Sequence, residues 1–326
     1  MIVGPELRLW LADRGAQQEC RAQADAFARA WNDGPVCRRL GEAMAGLGAA
    51  GAETVAQAIR DLFEAEDWAG ELVEAISAAL IHNPYFEPPF RHLNGDINSG
   101  LLVYEDDRVS IALATVDVAS LAGRKSRRRT SASIKFSGQV EVLKFVKAGD
   151  ARLSLWSAPP IDAGFSAARA GLCRSEGERR LRDGEIMIVD GRRESFVVEQ
   201  ARANILLWQA TVKPGQAPVG VEYDSTTHGF VGCSAAGDSA SRIQMIATLL
   251  RKLGCRDGFA ALAAFLDHPD FFVRWHVMRE LLGLDLAAAL PLLERMAARD
   301  PHPETRRAAR VTLDRIESGS LVRKAA

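Results

Sequence analysis

The sequence predicts a multidomain α+β protein with helices at both ends and an antiparallel β barrel or sandwich between them. The pattern of apolar residues changes twice. It follows helical spacing up to about residue 90, alternates or forms short runs from about residue 99, and returns to helical spacing from Gly237. We therefore expect three parts: residues 1–90, 91–236 and 237–326. A chain of 326 residues, 48 % of them hydrophobic, can form two or three cores of ordinary size.

The first region is predicted to be an acidic helical region. It contains 14 Asp or Glu against seven Arg and no Lys. Val55, Ile59, Leu62 and Phe63 recur as one face of a helix does, and a second stretch repeats the pattern after Gly70. The prolines of the segment IHNPYFEPPF then end helix formation, because proline lacks an N–H and restricts the residue before it.

The central region is predicted to be built from short antiparallel strands. The segment GLLVYEDDRVSIALATVDV reads as two strands joined by a turn at residues 105–107. Gly-Asp and Asp-Gly pairs punctuate the strands that follow, and such pairs favour tight turns. About nine short strands with no long helix between them are typical of a barrel or sandwich.

One stretch of this region also carries a resemblance. The segment LRDGEIMIVDGRRESFVVE is similar to the second half of cupin-like jelly rolls, in which a glycine-bearing turn precedes a buried pair of strands. This resemblance implies a cupin-like barrel for residues 91–236.

The C-terminal region is predicted to be helical. Asp238 or Ser239 can cap a helix that ends at Leu253, with Gly254 just beyond its end. The segments DHPDFFVRWHVMREL and DPHPETRRAARVTL then resemble HEAT-type repeats over about residues 257–317, with a period of 33 residues. Because a free-standing array needs about three repeats, we expect the helix before them to supply a half-repeat or the pair to pack on the barrel.

Arg274 is a candidate structural residue of these repeats. On a helical projection it falls inside an apolar arc, so its guanidinium needs a buried partner. The turn aspartates Asp267 and Asp300 are the candidates. The resemblance to HEAT-type repeats implies that such an Arg–Asp pair ties neighbouring repeats together.

Two groups of residues are candidates for partner binding. His276, Arg279 and Glu280 share the polar arc of the Arg274 helix; His and Glu four residues apart could also supply two metal ligands, although no third ligand is visible. The second group, Arg127, Arg128 and Arg129, ends the basic run RKSRRR, which we expect to form a solvated hairpin tip or loop. That run could contact the acidic N-terminal region of this chain or of a partner chain, or the phosphates of a nucleic acid.

A candidate metal site would consist of His92, Asp96 and His228. Two histidines and one carboxylate can hold iron(II) with open positions for a co-substrate. In RHLNGD, however, His92 and Asp96 are four residues apart, so on a regular strand they would lie about 13 Å apart. Only a bend at Asn94 and Gly95 could bring them together.

Charge, cysteines and missing motifs restrict the function. The net charge of −1 argues against a generally polyanion-seeking protein, and no apolar run approaches the roughly 18 residues of a membrane span. Five cysteines, none in a CxxC pair, argue against a disulfide framework or a structural zinc site and favour a reducing cytoplasm. The sequence lacks GxSxG, P-loop, GxGxxG and HExxH motifs.

We therefore predict a cytoplasmic protein-binding or scaffold protein without a cofactor, whose partner is another protein or a peptide, because helical repeats form broad contact surfaces. The alternative is a cupin-type non-haem-iron oxygenase that acts on a peptide or small molecule. A third hypothesis is nucleic-acid association through the basic run.

Overall fold

The acidic N-terminal region folds into helices, as its spacing predicts. The structure is a computed structural model and describes residues 4–65, 68–95, 97–127 and 133–319. The first helices are α1 (Pro5–Ala12), α2 (Arg14–Asn32), α3 (Pro35–Gly46), α4 (Ala52–Ala65) and α5 (Trp68–His82). Asp13 caps α2, since its carboxylate accepts a 3.0 Å hydrogen bond from the backbone N–H of Ala16.

The central region consists mainly of antiparallel strands. They are β1 (Arg91–Asn94), β2 (Asn98–Glu105), β3 (Val109–Val116), β4 (Ser133–Phe136), β5 (Val140–Lys147), β6 (Arg152–Ser157), β7 (Arg174–Arg180), β8 (Ile186–Asp190), β9 (Glu194–Gln200), β10 (Ile205–Val212), β11 (Val219–Asp224) and β12 (Phe230–Ala235), with the helix α6 (Val118–Arg127) between β3 and β4. The described strands form a six-stranded sheet in the order β1-β2-β3-β10-β5-β8 and two three-stranded sheets, β12-β11-β4 and β7-β6-β9.

The central strands of the six-stranded sheet contribute to a hydrophobic core on each face of the sheet. On its outer face, Val142 and Trp208 share one core with Ile59 and Phe63 of α4. The Trp68 ring of α5 contacts the Trp208 ring edge-on, with 6.4 Å between ring centroids. The hydrophobic core therefore crosses the change from helices to strands near residue 90.

The inner face of the six-stranded sheet packs against the sheet β7-β6-β9. Alternation along β5 places Leu143 and Phe145 on this face, where they share a core with Leu153 of β6. The sheet β12-β11-β4 completes this half of the molecule, and Phe136 and Tyr223 lie in its own core. The prediction of an α+β fold with antiparallel sheets in the middle is confirmed.

The C-terminal region returns to helices, also as predicted. They are α7 (Asp238–Lys252), α8 (Phe259–Ala263), α9 (Phe271–Leu284), α10 (Leu286–Arg299) and α11 (Pro303–Glu317). Gly254 follows α7 with a φ of 66°, the left-handed conformation that its predicted place after the helix requires. No helix of the described ranges is long and apolar enough to cross a membrane.

These helices dock on the strand region through His302. Its Nε2–H donates a 3.2 Å hydrogen bond to the backbone carbonyl of Phe165. Its ring stacks on the ring of Phe271, with 3.9 Å between ring centroids. Phe272 packs against both the helical core and the core of the sheet β12-β11-β4. The helical array and the strands are therefore joined by aromatic packing and a buried hydrogen bond.

Candidate protein-binding surface

Arg274 holds the C-terminal helices together. It is only 5 % exposed, and its Nε and Nη2 each donate a 2.8 Å hydrogen bond to the carboxylate of Asp300, in the turn between α10 and α11. Nη1 donates to the carbonyls of His268 and Pro269. Of the two aspartates that the sequence offers, the structure places Asp300 against Arg274, whereas Asp267 is exposed.

The polar arc of α9 is divided between solvent and a neighbouring helix. Glu280 is buried against α7, where it accepts hydrogen bonds from Arg251 and from the hydroxyl of Thr248. His276 donates from Nε2 to the backbone carbonyl of Gln244, also on α7. Both side chains are therefore used within the chain, because α7 covers the arc that the sequence leaves open, and only Arg279 of this predicted group is exposed.

The outer face of α7 carries an exposed apolar stripe. Met245, Ile246, Leu249 and Leu253 are 53 to 66 % exposed and lie within one narrow arc of the helix. The opposite arc packs into the repeat core through Ala240, Ile243, Ala247 and Leu250. We call these four exposed residues the α7 stripe.

The α7 stripe lies in basic surroundings. Arg242 is exposed within the same arc and Lys252 at its border, and Arg256 follows the helix. Between residues 239 and 256 the sequence contains no Asp or Glu. The exposed surface around the α7 stripe therefore combines apolar and positively charged side chains.

Sequence reasoning missed this stripe, because the sequence pattern of α7 is that of a buried helix. The segment IQMIATLLRKL has apolar residues around most of the helix rather than on one face. A helix of that kind is normally buried all round. In the described part of the chain, other elements cover only one side of α7.

The residues predicted for a metal site lie apart in the fold. His92 is on β1, an edge strand of the six-stranded sheet, with its Nε2 3.8 Å from a carboxylate oxygen of Glu87. His228 is in the turn between β11 and β12, in a different sheet. Asp96 lies outside the described residues. Within the described residues, no three His, Cys, Asp or Glu side chains form a group that could hold a metal ion.

His228 is instead part of the wall of a surface cleft. It has a φ of 60°, and its ring lies edge-on to the ring of Trp156, with 5.2 Å between centroids. Its backbone carbonyl accepts a 3.0 Å hydrogen bond from the N–H of Cys173. Burial raises the pKa of the Cys173 thiol, which keeps this sulfur protonated and poorly nucleophilic at neutral pH.

The basic run begins in a helix, not in the predicted hairpin tip. Helix α6 continues to Arg127, so that expectation is wrong for residues 124–127. The N-terminus of α6 is fixed by Asp117, whose carboxylate accepts hydrogen bonds from the backbone N–H of Ala119 at 2.8 Å and the hydroxyl of Ser120 at 3.1 Å. Arg128 and Arg129 lie outside the described residues.

Among the comparisons with known proteins, the family match concerns the C-terminal helices. A family model described as HEAT repeats matches residues 233–314. The predicted HEAT-like repeats are confirmed, and the match includes α7 as well as the two segments that the sequence resemblance covered. No curated protein matches this sequence.

Solved structures similar to part of this chain include a member of the cupin superfamily. Ectoine synthase from P. lautus has 11 % identity and a TM-score of 0.22, over 38 % of this chain and 69 % of that chain. A sugar phosphate isomerase of the cupin superfamily from Silicibacter pomeroyi has 13 % identity and a TM-score of 0.23, over 43 % and 77 %. The 7S globulin of Momordica charantia has 10 % identity and a TM-score of 0.24, over 42 % of this chain and 36 % of the globulin. Similarity this low decides neither activity nor ligand.

Proposed function

We propose that this protein binds another protein through its HEAT-like helices, and that the partner covers the α7 stripe with an apolar, acidic helix. The exposed stripe on α7 is the observation that supports this proposal. The outer helix of a helical array normally presents a polar face to water, because nothing else covers it. Four large apolar side chains at that position suit an additional helix instead.

The basic residues support the acidic character of the partner. Arg242 lies within the α7 stripe and Lys252 beside it, so an acidic helix would be attracted on approach and held in register. Hydrophobic contact would supply the affinity and the charges the specificity. Five free cysteines, three of them buried, fit a reducing compartment, and we propose a cytoplasmic location.

Site-specific photo-crosslinking in cells tests this proposal. A photoreactive amino acid replaces Leu249 in the α7 stripe, and in a control chain it replaces Val311, which is exposed on α11 of the same array. We expect a defined crosslinked protein from position 249 and none from position 311. The Ile246→Glu substitution should abolish the crosslink, because it places a charge in the contact.

The same experiment can overturn the proposal. No adduct at position 249, or equal adducts at both positions, would mean that the α7 stripe does not select a partner. The mass of the adduct shows whether the partner is a different protein or a second copy of this chain. Circular dichroism of the variants checks that the helices remain folded.

A further inference from the structure

The inner side of the six-stranded sheet borders a half-open cavity whose lining is mainly apolar with a few polar side chains. A cavity of about 300 Å³ lies there, and its walls are largely apolar. They include Leu143, Phe145, Phe196, Ile205 and Leu207. A volume of this size is at the lower end of the range for small-molecule sites.

Glu141 is an unusual member of this lining. It lies on β5 two residues before Leu143, so strand alternation points it to the same inner face. Its neighbours across the sheet are Thr211 on β10 and Val189 on β8. A carboxylate on an apolar barrel face is costly to bury and calls for a partner.

The described part of the chain gives Glu141 little compensation. It has a side-chain hydrogen bond with Ser137, but no Lys, Arg or His nitrogen of the described residues forms an ion pair with it within 4.0 Å. Lys135 lines the same cavity and attracts Glu141 electrostatically, but its side chain is exposed to solvent. Burial is the largest influence and raises the pKa of the carboxyl group.

Gln209 faces the same cavity. It lies on β10 opposite Leu143, and therefore diagonally from Glu141 across two paired strands. Residues in that relation are roughly 7 to 8 Å apart on one sheet face, a gap that one small polar group can bridge. Among the described residues, its side-chain amide makes no hydrogen bond.

We propose that this cavity binds a small organic amine, with its ammonium group between Glu141 and Gln209 and its apolar part against Leu143, Phe145 and Leu207. The carboxylate supplies the negative charge, and the amide oxygen accepts a second N–H bond. The apolar walls select a hydrocarbon body. This inference is independent of the protein partner proposed above.

Titration calorimetry with three probes of one shape tests the amine site. The probes are 2-phenylethylamine, 2-phenylethanol and phenylacetate, which present a cation, a neutral hydroxyl and an anion on the same aromatic body. We expect the purified full-length protein to bind the amine at least about tenfold more tightly than the other two, because only the amine pairs with the carboxylate.

Matched variants assign the contacts. Glu141→Gln keeps the shape and removes the charge, so it should weaken amine binding by about tenfold or more. Glu178→Gln removes an exposed strand carboxylate of β7 and should leave binding unchanged. Gln209→Leu should weaken the amine less than Glu141→Gln does.

Three outcomes would overturn the inference. One is no heat of binding for the amine, and a second is equal loss in the Glu141 and Glu178 variants. The third is tighter binding of phenylacetate than of the amine, with that binding lost in Lys135→Gln. This result would identify an anion site at Lys135 instead. Thermal melts of each variant, without ligand, show whether a loss of binding reflects a loss of folding.

Discussion

Arg274 and Asp300 form a two-bond ion pair in which both charged groups are buried. Each of the two N–H···O contacts is 2.8 Å, and they join helix α9 to the turn that begins α11. The same carboxylate accepts a 2.8 Å hydrogen bond from the backbone N–H of His302, the residue that docks on Phe165. The pair therefore fixes the repeat and also the turn that holds the repeat to the strands.

Removing Arg274 should strongly destabilise the protein. In Arg274→Ala, Asp300 remains buried without its charged partner, and the free energy of unfolding should fall by about 3 to 5 kcal/mol. Urea unfolding followed by circular dichroism measures the change. Arg279→Ala, an exposed arginine on the same helix, is the control and should change stability by less than about 0.5 kcal/mol. Similar small losses in both variants would contradict the structural role of Arg274.

Glu141 should make stability depend on pH. Its pKa in the folded protein is above the ordinary value of 4.5, because burial disfavours the charged form. Above that ordinary value the folded chain binds more protons than the unfolded chain, so stability falls as pH rises through the raised pKa. Glu141→Gln has no ionisable group at this position, so it should not show this fall in stability with rising pH.

The test compares unfolding of the wild-type and Glu141→Gln proteins at a series of pH values. The variant should gain stability relative to the wild type as pH rises, and the difference should disappear below about pH 4.5, where the wild-type carboxyl is protonated in both states. A difference that stays constant from about pH 4 to about pH 9 would show that Glu141 titrates normally.

We expect no stoichiometric iron. His92 and His228 lie in different sheets, and each has its own neighbour, Glu87 and Trp156 respectively. Anaerobic addition of iron(II), followed by desalting and elemental analysis, measures binding. One iron per chain that is lost in both His92→Ala and His228→Ala would favour the oxygenase alternative and revive the predicted site with Asp96.

The basic run should contribute little to stability. Replacing Arg127, Arg128 and Arg129 by Ser should change the unfolding free energy by no more than about 0.5 kcal/mol. We also expect no electrophoretic retardation of nucleic acid by the wild type at low salt. Retardation that weakens steeply with salt and is lost in the triple variant would support the nucleic-acid hypothesis.

Sequence patterns predicted those elements whose own residues carry a period. The α4 spacing predicts a helix, and the segment that contains β2 and β3 predicts two strands, and the structure has these elements. Strand β7, with the sequence RSEGERR, contains no apolar residue and is mostly exposed. It exists because it pairs with β6, and backbone pairing with a distant segment leaves no mark in its own side chains.

The site residues show the same division. Arg274 was singled out because a charge within an apolar arc is a local anomaly, although the choice between Asp267 and Asp300 required the fold. Glu141 carries an equally local signal, an acid on the Leu143 and Phe145 face of a strand, but the cavity beside it is formed only by the fold. The sequence of α7 carries no local signal that distinguishes an exposed stripe from a buried one, because burial depends on which other elements pack against the helix.

The core shared by the N-terminal helices and the six-stranded sheet has a consequence for synthesis on the ribosome. Ile59 and Phe63 are translated long before Trp208, yet they pack in one cluster with it. Until β10 has been synthesised, the apolar faces of α4 and α5 lack part of the sheet that covers them in the folded protein. Contacts so distant in sequence slow folding, and they leave hydrophobic surface exposed that chaperones can bind and that promotes aggregation. The nascent chain is therefore most prone to aggregation while residues 91–212 are being synthesised.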